Sequence, residues 1–257
     1  CFSMEKQSGN NESLIKPKLK AIVFGASGAT GREVVDYLIN SDQWSEVTVI
    51  TRRKIDRWST LPLSDCQLKF IIINSLDVLS KPKEELLKLH PEMNFEGYHS
   101  IFNCLGCNNL IEKEEVIKKV EYTYVIDSAT LCEKFNIPHF SHVTAEGVDP
   151  NSCISYSRIK GQTEERLKTM NIKYVSIMRP GGITGRDNYF KFLDMVQTCL
   201  IACTCYLIPN IESKQIGVAL GYEAEKVAGN MVKMTRNVYT NSQIKEIANE
   251  ATRKKLK

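Results

Sequence analysis

Tyr156 and Lys160 stand four residues apart in the run SCISYSRIKGQTEERL, a spacing that puts both side chains on one face of a helix. A tyrosine hydroxyl titrates near ~10 in isolation. A lysine ammonium beside it favours the phenolate and brings the group toward working pH. Thr144 lies upstream, at the end of the β-branched run His139–Val143. The three residues suit proton transfer to or from a carbonyl or alcohol oxygen. Tyr156 would be the general acid or base, Lys160 the group that tunes it, and Thr144 the hydroxyl that holds the substrate oxygen. Tyrosine and lysine are common on helix surfaces, so this pair gains its weight from what precedes it in the chain.

What precedes it is KAIVFGASGATGREVVDYL, an apolar strand, three glycines and an amphipathic helix. Gly25 permits a tight turn, Gly28 lets a pyrophosphate approach the backbone, and Gly31 lets the helix pack close to the sheet. The helix N-terminus then offers free N–H groups to phosphate, with Ser27 and Thr30 as added hydroxyl donors. The next strand, VTVIT, runs into Arg52, Arg53 and Lys54 with no acid. A carboxylate there would accept from the ribose 2′-OH of NAD, whereas guanidinium groups hold a 2′-phosphate. The expected cofactor is therefore NADP(H).

GASGATG, NCLG, the set Thr144, Tyr156 and Lys160, and MRPGGITGR together resemble the short-chain dehydrogenase/reductase superfamily. Within its atypical branch, the order and spacing are similar to the Tat-interacting-protein oxidoreductases, an NADPH-binding group, from about Lys20 to Arg186. The resemblance implies that Ser27, Gly28, Ala29 and Thr30 line the pyrophosphate and that Arg52 and Arg53 take the 2′-phosphate. It implies that Leu105 and Gly106 pass under the adenosine ribose. Tyr156 and Lys160 would serve catalysis and the nicotinamide ribose together, and Pro180, Ile183 and Arg186 would close over the nicotinamide end. Two departures stand out. Thr144 replaces the usual serine, keeping the hydroxyl but restricting its rotamer. The aspartate often set against adenine is matched by Asn74 or Ser75, with Asp77 slightly late, and the choice among them stays open.

The elements that must position these residues read as alternating β-branched runs and amphipathic stretches, the pattern of a doubly wound, Rossmann-type parallel sheet. The strands are expected at Ala21–Phe24, Val47–Thr51, Phe70–Ile73, Ser100–Cys104, His139–Val143 and Tyr174–Met178. Helices are expected at Val34–Asn40, Lys83–Leu89, Glu114–Phe135 and Ser155–Met170. In Glu114–Phe135 the apolar stripe is Val116, Val120, Tyr124, Ala129 and Cys132. A small C-terminal helical cap, from about residue 187, is expected to contain helices at Asn188–Leu200 and Glu223–Thr235. Between them Pro209–Gly221 reads as a loop with a short strand at Ile216–Ala219. Residues 1–18 are expected to be a disordered lead-in or an expression remnant, ahead of a single domain over 19–257.

The chain's 257 residues, 42% hydrophobic and 25% charged, are enough for a substantial core without disulfides or structural metal. A formal charge of +4 suits an anionic ligand but not a dedicated nucleic-acid binder. No apolar stretch reaches the ~20 residues of a membrane span. Nine scattered cysteines fit reduced thiols in the cytosol. The basic tail Arg253, Lys254, Lys255 and Lys257 reads as a solvated surface, with nuclear access or partner binding as the alternative. Cys104 and Cys107 form a C-x-x-C, but no paired ligand spacing argues for zinc. The expected function is an NADPH-dependent oxidoreductase acting on a small carbonyl or alcohol. The alternative is an NADP(H)-sensing regulatory protein with a protein partner and little turnover.

Overall fold

Strand β1 (Leu19–Phe24) alternates Ala21 and Val23 toward one face with Ile22 and Phe24 toward the other, and all four are fully buried. A strand apolar on both faces must be central and covered twice, which is what a parallel sheet requires. The computed structural model, which describes residues 18–59, 65–107, 112–185 and 209–255, has that arrangement. β1 leads through α1 (Ala29–Ile39) to β2 (Trp44–Thr51) and β3 (Gln67–Ile72). Then come α2 (Lys83–Leu89), β4 (Ser100–Asn103), α3 (Glu114–Lys118), a π turn (Lys119–Thr123) and α4 (Tyr124–Phe135). β5 (His139–Val143), α5 (Ser155–Thr169) and β6 (Tyr174–Met178) follow, with β7 (Gly182–Thr184) pairing β8 (Asn210–Glu212). The described chain ends with α6 (Ser213–Ala228), β9 (Arg236–Tyr239) and α7 (Asn241–Lys255).

The seven strands of the main sheet are all parallel, in the order β3-β2-β1-β4-β5-β6-β9. The order reverses between β1 and β4, and the crevice beyond the carboxyl ends of those strands is where such sheets bind ligands. Two cores fill the layers. One packs Val34, Val35, Leu38, Ile216, Leu220 and Ile244 against one face; the other packs Leu86, Val125, Phe135, Phe140 and Leu167 against the opposite face.

The C-terminal helices are present, but their bounds differ from the sequence expectation. Pro209–Gly221 is not a loop with a strand at Ile216–Ala219: most of it is the first half of α6, which ends at Ala228 and not at Thr235. Its glycines mark contacts. A Cβ on Gly217 would lie 2.6 Å from the backbone of Glu33, and one on Gly221 would lie 2.1 Å from the Tyr37 ring. They let α6 cross α1 at close range. Glu225 of α6 then accepts hydrogen bonds from Tyr37 (3.1 Å), Ser41 (2.7 Å) and the Trp44 indole (3.0 Å). β9, which the pattern did not suggest, adds a seventh strand beside β6. The helix expected at Asn188–Leu200 lies outside the described residues.

The expected Glu114–Phe135 helix is interrupted by the π turn, and this moves its buried stripe. Val116 is exposed, whereas Ile117, Glu121, Val125 and Ala129 are buried. A π turn inserts one residue into the helical repeat, so the inward face changes register across it.

Candidate functional site

At the β1–α1 turn the three glycines have separate reasons. Gly25 has φ +77°, and a Cβ there would lie 2.4 Å from the carbonyl oxygen of Cys104 as β4 exits the sheet. A Cβ on Gly31 would lie 2.2 Å from the Gly25 carbonyl oxygen. Gly28 differs, because its Cβ would meet nothing nearer than that same oxygen, at 3.3 Å. A side chain there would press on that backbone oxygen and meet nothing else within 4 Å. Gly28 caps α1 without a side-chain hydrogen bond, and the first turn of the helix, with Ala29 and Thr30, carries no acid. Such a terminus presents backbone N–H groups to an anion.

Beside the turn lies a groove of about 470 Å³ whose lining includes Ala26, Ser27, Arg32, Arg53, Lys54 and Arg57. That volume falls within the range of small-molecule sites. Arg53 faces the groove and Arg52 does not line it. Arg32, directly after the third glycine, is a cation that the sequence reading passed over; it also donates to the Gly185 carbonyl oxygen at 2.9 Å. Two neighbouring cations are paired, Arg57 with Asp36 at 2.6 Å and Lys54 with Asp56 at 3.0 Å. At the end of β3, the Ser75 hydroxyl donates to Asp77 at 2.7 Å, and Lys119 also reaches that carboxylate. Asn74 is exposed beside them.

After β4, the Asn103 side chain accepts from the Leu105 N–H (3.2 Å) and donates to Ser128 (2.6 Å), which shapes the NCLG turn. Gly106 follows, within van der Waals range of Glu121. Cys104 and Cys107 are free thiols; burial pushes each up to about 12, with the Glu121 charge adding to the effect at Cys107. Cys199, Cys203 and Cys205 lie outside the described residues.

Tyr156 and Lys160 share the α5 face as their spacing requires, with Lys160 Nζ 5.2 Å from the Tyr156 ring centroid. The lysine is buried, and its Nζ donates to Glu121 Oε2 at 2.7 Å. Burial alone would lower its pKa, but Glu121, followed by Tyr156, outweighs that and holds Lys160 above the ordinary lysine value. Gly161, next in the chain, is required by packing: a Cβ there would lie 2.3 Å from the Pro150 nitrogen.

Thr144 follows β5 directly, as the sequence suggests, and its hydroxyl has interior partners. Its hydroxyl is buried and donates to Glu164 Oε1 at 2.7 Å, with the Met178 carbonyl oxygen at 3.3 Å. Glu164 is itself buried and held by the Arg179 guanidinium, with Nε 3.0 Å from Oε1. The hydrogen that would hold a substrate oxygen is committed to the interior. Pro180 is buried, its carbonyl oxygen accepting from Glu146 N–H at 2.8 Å, and Ile183 sits on β7 opposite Ile211. Arg186 lies outside the described residues.

The parallel sheet with a glycine turn at its point of reversal is the architecture of Rossmann-type, dinucleotide-binding folds. No family model matches the chain. It is 25% identical over 159 residues to Protein HTATIP2 of Rattus norvegicus, a match covering 62% of this chain and 60% of that one. It is 22% identical over 176 residues to Protein FMP52-1, mitochondrial, of Scheffersomyces stipitis, covering 68% and 72%. Among solved structures it superposes on a short-chain type dehydrogenase/reductase from Mycobacterium ulcerans with a TM-score of 0.61 at 12% identity, covering 88% of this chain and 90% of that one. The chain is thus similar in sequence to HTATIP2 and the FMP52 proteins, spans about 60% of the length of the HTATIP2 relative, and has the fold of short-chain dehydrogenase/reductase-type structures. The fungal relative is named mitochondrial, which does not fit a plainly cytosolic expectation. No helix among the described residues is long and apolar enough to cross a membrane.

Proposed function

We propose that the chain is an NADPH-dependent oxidoreductase that reduces a small carbonyl compound, or oxidises the corresponding alcohol. What supports this reading is the presence of both halves of such a site on one Rossmann-type sheet. Two features support it side by side: a groove beside the glycine turn whose lining includes Arg53 and Arg32, and a helix on which Tyr156 lies against the buried Lys160 ammonium. NADPH supplies the hydride when bound. The α1 N-terminus and Ser27 hold its pyrophosphate, Arg53 and Arg32 its 2′-phosphate, and Leu105 and Gly106 lie along the adenosine ribose. At the far end Pro180 and Ile183 would border the nicotinamide.

Tyr156 donates its phenolic proton to the substrate oxygen while the carbonyl carbon is reduced, and recovers it from solvent. Lys160 holds the nicotinamide ribose and sets the electrostatics at the phenol. Thr144 acts from behind, tying the end of β5 to α5 and to Arg179 through Glu164. That commitment favours a second reading, a nucleotide-sensing protein with little turnover, because the substrate oxygen then lacks one donor.

NADPH oxidation over a panel of aldehydes, ketones and quinones separates the two. In the enzyme reading, Tyr156→Phe keeps most NADPH affinity and lowers turnover at least about a hundredfold, within the ~10²–10⁴ of general acid–base catalysis. An active wild type whose Tyr156→Phe variant turns over at the same rate refutes the proton-donor role. A wild type that binds NADPH yet reduces nothing supports the sensor.

A further inference from the structure

Glu121 is a carboxylate that the function above does not use, and it is 1% exposed. It reaches that position through the π turn that breaks the α3–α4 run, a distortion often found at functional sites. Three contacts hold it. Oε2 accepts from Lys160 Nζ of α5 at 2.7 Å, and Oε1 accepts from the Cys107 N–H after β4 at 3.1 Å. Its main-chain oxygen accepts from the Thr163 hydroxyl of α5 at 2.8 Å. A buried carboxylate with this much support is fixed in place, and it meets the ammonium that faces Tyr156.

The other titratable groups around the pair do not cancel that meeting. Cys107, with Glu112 nearby in charge range, is a neutral thiol pushed up to about 12. His142 of β5 is held neutral at pH 7, its pKa pushed down to about 3 by burial and then by Lys160. At the start of α5, Arg158 pairs with Glu114 of α3 at 3.0 Å. The ammonium beside Tyr156 therefore arrives with its counter-charge already attached.

We infer that Glu121 is a positioning residue for the Tyr156–Lys160 pair: it anchors the Lys160 ammonium and offsets its charge at the Tyr156 hydroxyl. The site is thereby biased toward a protonated phenol, which gives its proton to a carbonyl oxygen, over a phenolate, which would take one from an alcohol. This rests on the oxidoreductase reading for its consequence, but not for its test.

The test reads Tyr156 directly. The full chain is labelled with ¹³Cζ-tyrosine, with and without NADPH, and the Tyr156 signal is assigned by its loss in Tyr156→Phe. Its titration is then followed in wild type and in Glu121→Gln. The single substitution leaves the ammonium without its counter-charge, so Tyr156 should titrate about one pH unit lower or more. An unchanged or raised titration overturns the inference. If Glu121→Gln does not fold, the double variant Glu121→Gln/Lys160→Met replaces the buried ion pair by neutral groups of similar size, a change such sites often tolerate. Because the pair's charges offset each other, Tyr156 in the double variant should titrate within about half a pH unit of wild type. A rise of about one unit or more would mean that Lys160 acted without an offset, and would overturn the inference equally. Turnover enters neither comparison, so an inactive wild type removes the oxidoreductase reading and leaves the titration result standing.

Discussion

Replacing Arg53 by alanine should cost the chain its preference for NADPH over NADH, whereas replacing Arg52 should leave that preference nearly intact. Both arginines follow β2, but only Arg53 lines the basic groove beside Ser27. Hydrogen bonds to a charged group contribute roughly 1.5–3 kcal/mol each, and about 1.4 kcal/mol is tenfold in affinity. Arg53 is exposed, so solvent screening takes the lower end of that range. About a tenfold loss of NADPH affinity is expected, with NADH affinity unchanged. Arg32→Ala should weaken both nucleotides, and NADPH the more, because Arg32 lines the groove and also anchors the Gly185 carbonyl oxygen at 2.9 Å. Calorimetric titration with both nucleotides at low and high salt checks the pattern, since a phosphate contact should fade as salt rises. If Arg52→Ala abolishes the preference while Arg53→Ala keeps it, the groove has been assigned to the wrong guanidinium. Equal affinities for NADPH and NADH in wild type would remove the 2′-phosphate argument altogether.

Two further outcomes follow from packing and burial. Gly221→Ala places a methyl 2.1 Å from the Tyr37 ring and should destabilise the fold by about 1–3 kcal/mol, the range for overpacked cores, read as a lower Tm; an unchanged or higher Tm would show that α6 does not depend on that close crossing. Burial holds His142 down to about 3 and His99 down to about 4, both below the ~6.5 of an unfolded histidine. The unfolded chain therefore takes up protons first. Stability is full above pH ~6.5 and falls as pH drops toward the folded values, by roughly 1.4 kcal/mol per pH unit per group. Urea unfolding at pH 7 and pH 5 measures this above most carboxylate titrations, and His142→Asn should flatten the difference. Equal stability of wild type at the two pH values would contradict the buried, neutral imidazoles.

The β1–turn–α1 unit was legible because its causes are local. Gly25, Gly28 and Gly31, the apolar strand before them and the helix after them fall within one short run. The same holds for Tyr156 and Lys160, whose shared face needs only helical spacing. Six strands could be read because a parallel sheet buries both faces and leaves nearly continuous apolar runs. β9 escaped because Arg236–Tyr239 is short and half polar. α6 escaped because Gly217 and Gly221 look like helix breakers in sequence, and only the neighbouring α1 shows why they are glycines.

What spacing leaves out around Tyr156 and Lys160 has a different origin, and it bears on how such pairs are judged. A Tyr-x-x-x-Lys spacing specifies which side chains meet but not the charge they feel. That charge is set by residues distant in sequence: Glu121 lies 39 positions from Lys160, and Glu164 lies 20 from Thr144. Neither acid carries a local signal. Glu121 sits in the π turn, on the buried side with Ile117 and Val125, where an acid is not expected from an amphipathic pattern. Glu164 is one of two adjacent acids on α5, and the Arg179 guanidinium just after β6 is the cation that pairs with it in the interior. Two motifs identical in spacing can thus differ in whether the tyrosine is poised to give or to take a proton and whether the strand-end hydroxyl is available. Both differences lie in buried acids that spacing does not reveal, and in this chain both acids are spoken for by cations within hydrogen-bond range.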